Sequence, residues 1–238
     1  MEQVLYNNMT SVLNFANIDV SQISFSEPKV NARGGQTIWL SYNGQKIITQ
    51  VPKGKCPFGL SKQQYDEDAP PKFDVSVSLG GTDKMNTFKE WALGLDKMIQ
   101  ESAVENSEKW FGKKKSAGVI EELYKPMILE SKKGDYAPTM KFKMPFYDDQ
   151  HTATVFDNER KEIGAEAITK GAEVILIAQI SSMWFVGKQF GVTWQVLQAK
   201  VFPSSALPKY AFADDDDDDE EVNEDDYDEE EDEGAESE

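Results

Sequence analysis

Apolar and polar residues alternate through residues 37–42 and again through 45–51, and the pair Asn43-Gly44 separates the two runs. That pair best tolerates the two positive φ angles of a type I′ turn, so the spacing predicts a β-hairpin. A two-residue loop would set Tyr42 opposite Gln45, Leu40 opposite Ile47 and Trp39 opposite Ile48. Ile38, Leu40, Tyr42, Ile47, Thr49 and Val51 then share a core face. Trp39, Ser41, Lys46, Ile48 and Gln50 share the other face, where an aromatic ring beside a lysine suggests a ligand platform.

Phe73, Val75, Val77 and Leu79 alternate with Asp74, Ser76 and Ser78, the period of a half-buried strand, ending at Gly80-Gly81. Another strand is expected over 139–146, with Met140, Phe142, Met144 and Phe146 on one side and Lys141 and Lys143 on the other. Between these, Phe88, Trp91, Leu95, Met98 and Ile99 recur at helical spacing after the capping candidates Thr82 and Asp83, which predicts a helix over about residues 86–102. A shorter helix is expected over 116–124, with Val119, Ile120 and Leu123 inward and Pro126 as its stop. Residues 173–185 and 190–202 read as two long strands joined around Gly187, the first so apolar that it belongs in the middle of a sheet. Strands, helices, then strands suit a mainly β (α+β) Greek-key barrel or sandwich with a helical insertion better than a parallel α/β sheet. No repeat period is visible.

Charge redraws this picture. The net charge of -18 seems to exclude a polyanionic ligand, yet residues 214–238 hold 19 of the 43 acids and no base, which leaves 24 acids against 25 bases in residues 1–213. A near-neutral body can carry a basic groove. The expected organisation is one globular domain over 1–213 and a disordered acidic tail over 214–238. The tail's like charges repel, and only Val222 and Tyr227 offer apolar surface, so ordering it has no compensation. A flexible chain of that length reaches about 28 Å, and further when self-repelling. It can therefore compete with DNA phosphates for a cationic groove, or engage a basic partner.

The lone cysteine, Cys56, has no intramolecular disulfide partner, and residues 1–20 lack the pattern of a signal peptide, so an intracellular, reducing compartment is expected and the Asn8-Met9-Thr10 sequon is idle. The longest apolar run, near 174–178, falls far short of the ~20 residues of a membrane span. Neither catalytic residues, metal ligands nor a cofactor are expected, since the chain has one His and one Cys and no nucleophile or metal motif. Cys56, within Cys56-Pro57-Phe58-Gly59, reads as a packed loop residue, and His151, beside Asp148-Asp149-Gln150, as a solvated one. Gly112-Lys113-Lys114-Lys115-Ser116 lacks the glycine spacing of a nucleotide-binding loop. Its lysines suit either phosphates of a DNA strand or an exposed basic loop. Among the tryptophans, Trp91 reads as core and Trp39 as the candidate for base stacking, because stacking rings with cations nearby hold a single strand without reading its sequence.

One ordered set of residues resembles the single-stranded DNA-binding proteins of large nucleocytoplasmic DNA viruses, especially those of algae, distantly similar to the replication protein of short-tailed lytic phages. The set is Ile38-Trp39-Leu40-Ser41-Tyr42, Cys56-Pro57-Phe58-Gly59, Asn106-Ser107 with Trp110-Phe111, Tyr136 with Pro138 and Lys141, and Phe190-Gly191-Val192-Thr193-Trp194, followed by the acidic tail. The resemblance implies an OB-fold barrel, binding of single-stranded DNA in viral replication, recombination or repair, a possible homodimer, and a host-cell replication site in the nucleus or a cytoplasmic factory. It also implies that the tail docks replication enzymes such as DNA polymerase. The phage relatives end in an aromatic residue where this sequence ends at Glu238, and Tyr227 is the substitute.

On this reading phosphates meet Arg33, Lys46, Lys53, Lys55, Lys113, Lys114, Lys115, Lys141 and Lys143. Bases stack on Trp39, Trp184 or Phe185. Partners meet the tail at Asp214, Asp219, Glu220, Asp225, Tyr227 and Glu230. The rival expectation is an acidic histone chaperone or other basic-protein-binding module, in which the body need not touch DNA.

Overall fold

The computed structural model describes residues 11–32, 34–64, 70–131 and 134–202. Five strands build its core: β1 (Ile48–Lys55), β2 (Lys72–Ser78), β3 (Thr139–Met144), β4 (Glu173–Val186) and β5 (Gln189–Phe202). The two longest form the expected hairpin, turned at Gly187 with φ 61°, a conformation that glycine adopts without steric cost. β4 is central, with β5 antiparallel on one side and β1 and the short strand Gln36–Ile38 on the other. Val174, Leu176, Ala178 and Ile180 on alternate positions of β4 are buried, and burial of their apolar surface is the main stabilising term.

β5 pairs in parallel with β3, and β3 runs antiparallel to β2. The order is therefore β1–β4–β5–β3–β2. The ring closes where β1 meets β2, at Gly54: a Cβ there would stand 2.5 Å from Val77 Cγ1 and 3.2 Å from the Ser78 carbonyl oxygen. Only a residue without a side chain permits that approach. The result is a mainly β, OB-like Greek-key barrel, and the helices α1 (Asp83–Glu105), α2 (Ser107–Phe111) and α3 (Ala117–Leu123) are inserted between β2 and β3.

α1 begins after Thr82, whose hydroxyl oxygen accepts the Met85 N–H at 3.2 Å, and this cap starts the helix three residues before the first one expected. Met85, Phe88, Ala92, Leu95 and Ile99 make its buried stripe. Trp91 sits at the edge of that stripe and donates its indole N–H to the Ile18 carbonyl at 3.2 Å. α2 was not expected. In α3 only Ile120 is fully buried, while Val119 is 39% exposed, contrary to its inward assignment, since a seven-residue helix has one narrow buried stripe.

The Asn43-Gly44 turn has both φ angles positive, 49° and 74°, and pairs Ser41 with Lys46 and Tyr42 with Gln45. Beyond these pairs the two arms separate. Leu40 pairs with Phe25 instead of Ile47, and Ile48 pairs with Gln179 of β4 instead of Trp39. Ile48 is buried, not on the platform face, because β4 offers it more apolar surface than the other arm of the hairpin does. On β2, Asp74 and Ser76 are buried as well as Val75 and Val77. β3 stops at Met144, before Pro145, and Phe146 begins a small hairpin that pairs it with His151. His151 is therefore not solvated: its ring lies edge-on to Phe73 at 4.6 Å and to Phe146 at 5.0 Å.

Candidate nucleic-acid interface

The inward side chains of β3, Met140, Phe142 and Met144, are fully buried, which forces Lys141 and Lys143 to the outer face, as the alternation predicted. Their neighbours there come from three other segments. Lys72 and Asp74 stand on β2, Thr193 on β5, and Lys125 on the Tyr124–Lys125 strand, which pairs in parallel with β5. Together with Trp184 they line a shallow groove of about 310 Å³.

Among the described residues, four lysines and one aspartate line this groove, and that aspartate is already engaged. Asp74 accepts a hydrogen bond from the Gln63 amide at 3.0 Å and pairs with Lys141 at 3.4 Å. The surplus is cationic. Trp184 supplies a ring: it pairs across the hairpin with Gly191, where a Cβ would stand 2.9 Å from Trp184 Cζ2, so the missing side chain gives the indole its place. Phe185, one residue on, points to the other side of β4 and stacks on Phe190 at 5.6 Å between Trp110 and Phe111. Adjacent strand residues face opposite ways, so only one of Trp184 and Phe185 can face the groove.

A buried carboxylate holds the Lys125 segment. Asp96 of α1 accepts hydrogen bonds from the Tyr124 hydroxyl and from the Met127 N–H at 3.2 Å, and Met127 Sδ in turn receives the Trp194 indole N–H at 2.9 Å. Burial pushes the Asp96 carboxyl up to about 6, against these two hydrogen bonds, which pull it down. The folded state thus binds this proton more tightly than the unfolded chain, whose carboxyl titrates near ~3.9. The stabilisation from this group is full below that value and is lost as pH rises to about 6, a fall of about 3 kcal/mol. In Asp96→Asn that fall should vanish, as urea midpoints at about pH 4 and about pH 7 would record.

The other expected contacts are dispersed. Trp39 is 42% exposed, but its cation is Lys29, 5.2 Å from the ring centroid, and it stands beside the small sheet of Ile23–Phe25, Leu40–Tyr42 and Gln45–Lys46. Lys46 lies in that same sheet. Lys53 pairs with Glu173 at 2.5 Å and lies over Phe202. Lys113 and Lys115 line a separate pocket with Lys188 of the β4–β5 turn, and Lys114 is exposed in the same loop. Lys55 lines another groove, with Phe58. Arg33 and the tail residues Asp214, Asp219, Glu220, Asp225, Tyr227 and Glu230 lie outside the described residues. Lys72 and Lys125 were missed by sequence reasoning. Lys125 stands beside Pro126, a signal that reads as a helix stop. Cys56 is the buried loop residue expected, and burial pushes its thiol up to about 12.

A family model described as a family of unknown function, DUF5871, matches residues 74–214. No curated protein matches. Among solved structures, the chain is similar to gp2.5, a single-stranded DNA-binding protein encoded by bacteriophage T7, at 16% identity and TM-score 0.46, over 78% of this chain and 100% of that one. It is also similar to the single-stranded DNA-binding protein of bacteriophage Enc34 in complex with single-stranded DNA, at 12% identity and TM-score 0.43, over 77% of this chain and 97% of that one.

Proposed function

The chain belongs to DUF5871, a family of unknown function, and we propose that it is a non-enzymatic single-stranded DNA-binding protein that coats unpaired strands during viral DNA replication, recombination or repair. The observation that supports this is the outer face of β2, β3 and β5. It sets Lys72, Lys125, Lys141 and Lys143 around Trp184. Lysines meet the phosphates, and rings meet the bases whatever their sequence. Neutralised phosphates also release counterions, so affinity falls linearly with salt on a logarithmic plot, with a slope of about -0.7 per phosphate on single strands.

Fluorescence anisotropy with oligo-dT, duplex DNA and RNA at two salt concentrations tests this. Salt-sensitive binding that favours the single strand supports it. Indifference to every nucleic acid, with capture of histones, would turn the reading toward an acidic chaperone.

The acidic run 214–238 regulates this face and docks replication proteins such as DNA polymerase. Carrying 19 acids and no base, it competes with DNA for the same lysines. Deleting residues 214–238 is expected to tighten oligo-dT binding several-fold, an advantage that shrinks as salt rises. Level or weaker binding by the truncated protein would exclude competition.

A further inference from the structure

The run Cys56-Pro57-Phe58-Gly59 has no part in the face described so far, yet it presents a large ring to solvent from an anchored loop. Phe58 is 64% exposed. On either side of it the chain is tied down: the Cys56 N–H donates to the Ala172 carbonyl at 2.7 Å, the Cys56 carbonyl accepts from the Gly171 N–H at 2.7 Å, and the Leu60 N–H donates to the Ile168 carbonyl at 2.7 Å. Gly59, with φ 66°, lies so close to the same segment that a Cβ would stand 2.7 Å from the Lys170 nitrogen and 2.8 Å from the Ile168 carbonyl oxygen. A ring held this way loses little freedom when it binds.

Tyr136, 76% exposed, lines the same groove, which has a volume of about 860 Å³. Its loop is anchored as well. The Pro138 carbonyl accepts the Leu79 N–H at 2.8 Å, and a Cβ on Gly80 would meet Ala137 Cβ at 3.0 Å. Lys55 and Lys170 line the groove too, against Glu130. Leu129, 49% exposed, lines both this groove and the β2–β3–β5 face. The two surfaces are therefore continuous.

We propose that Phe58 and Tyr136 form a second stacking station for nucleobases of the same single strand. The strand leaves the β2–β3–β5 face over Leu129, its next bases stack on the two rings, and Lys55 and Lys170 meet its phosphates. This rests on the single-stranded DNA reading and extends the bound length beyond the first face.

The test is anisotropy with oligo-dT of about 6 and about 16 nucleotides, lengths that bracket the site sizes of OB folds. Wild type is compared with the F58A/Y136A double variant and with F58W, and melting curves confirm that each is folded. The double variant should bind the long oligonucleotide at least about tenfold more weakly and the short one within about twofold of wild type, while F58W binds both as wild type does. Unchanged affinity for the long oligonucleotide, or an equal loss at both lengths, overturns the second station and leaves the first face standing. Failure of wild type to bind either oligonucleotide overturns both.

Discussion

Replacing Lys141 and Lys143 both by Gln is expected to weaken oligo-dT binding by about 10–100-fold at low salt, and to flatten its salt dependence by about 0.7 for each phosphate no longer neutralised. Both side chains are fixed on the outer face by the burial of Met140, Phe142 and Met144 between them. Lys141→Gln and Lys143→Gln, the second directly opposite Asp74 across the strand pair, place no second carboxylate against that buried one, so the fold is spared. Charge reversal at Lys46, in the small sheet, serves as the comparison and should change affinity by less than about twofold, the effect of a distant charge screened by salt. A larger loss from Lys46→Glu than from the Lys141 and Lys143 pair would move the interface to the hairpin. Titrations at three salt concentrations measure both affinity and slope.

The second large effect is structural. Gly54→Val should cost about 3 kcal/mol or more, a fall in Tm of roughly 6–12 °C for a domain of this size. The first added carbon would lie 2.5 Å from Val77 Cγ1, 2.6 Å from Met85 Cε and 3.2 Å from the Ser78 carbonyl oxygen. Met85 can swing away, but Val77 is stiff at χ1 and the carbonyl belongs to the β2 backbone. Relief therefore requires β1 and β2 to part, which opens the barrel at its seam. Gly94→Ala is the counterpart: it lies inside α1 with nothing near its Cβ position, and should stabilise by about 0.5–1 kcal/mol. Differential scanning calorimetry would separate the two, and a Gly54→Val protein that melts with wild type would show the seam to be elsewhere.

Strand and helix identity was legible where a single period ran long enough. The 14-residue strands β4 and β5 and the 23-residue helix α1 follow from spacing and caps alone, as does the outward pair Lys141 and Lys143. Pairing beyond the first residues of a turn was not. Asn43-Gly44 dictates its own two pairs, but the neighbour that Ile48 finally chooses is Gln179, on a strand far along the chain, and local sequence carries no trace of it. The candidate face was legible for the same reason only in part. Lysines on a regular strand could be assigned to a side, whereas Lys125 and Tyr136 reach their grooves through short loop segments whose course depends on Asp96 and on Leu79. Trp184 and Phe185 show the remaining ambiguity: alternation says that they part, but only Gly191 opposite Trp184 decides which one has room outside.

On the proposed reading, a single strand lies on the face built by β2, β3 and β5. Photo-cross-linking of the full chain to oligo-dT carrying 5-iododeoxyuridine, followed by peptide mapping, tests it most directly. Adducts at Trp184 are predicted. Adducts confined to Trp39, or to Phe156 and Phe202, would contradict it.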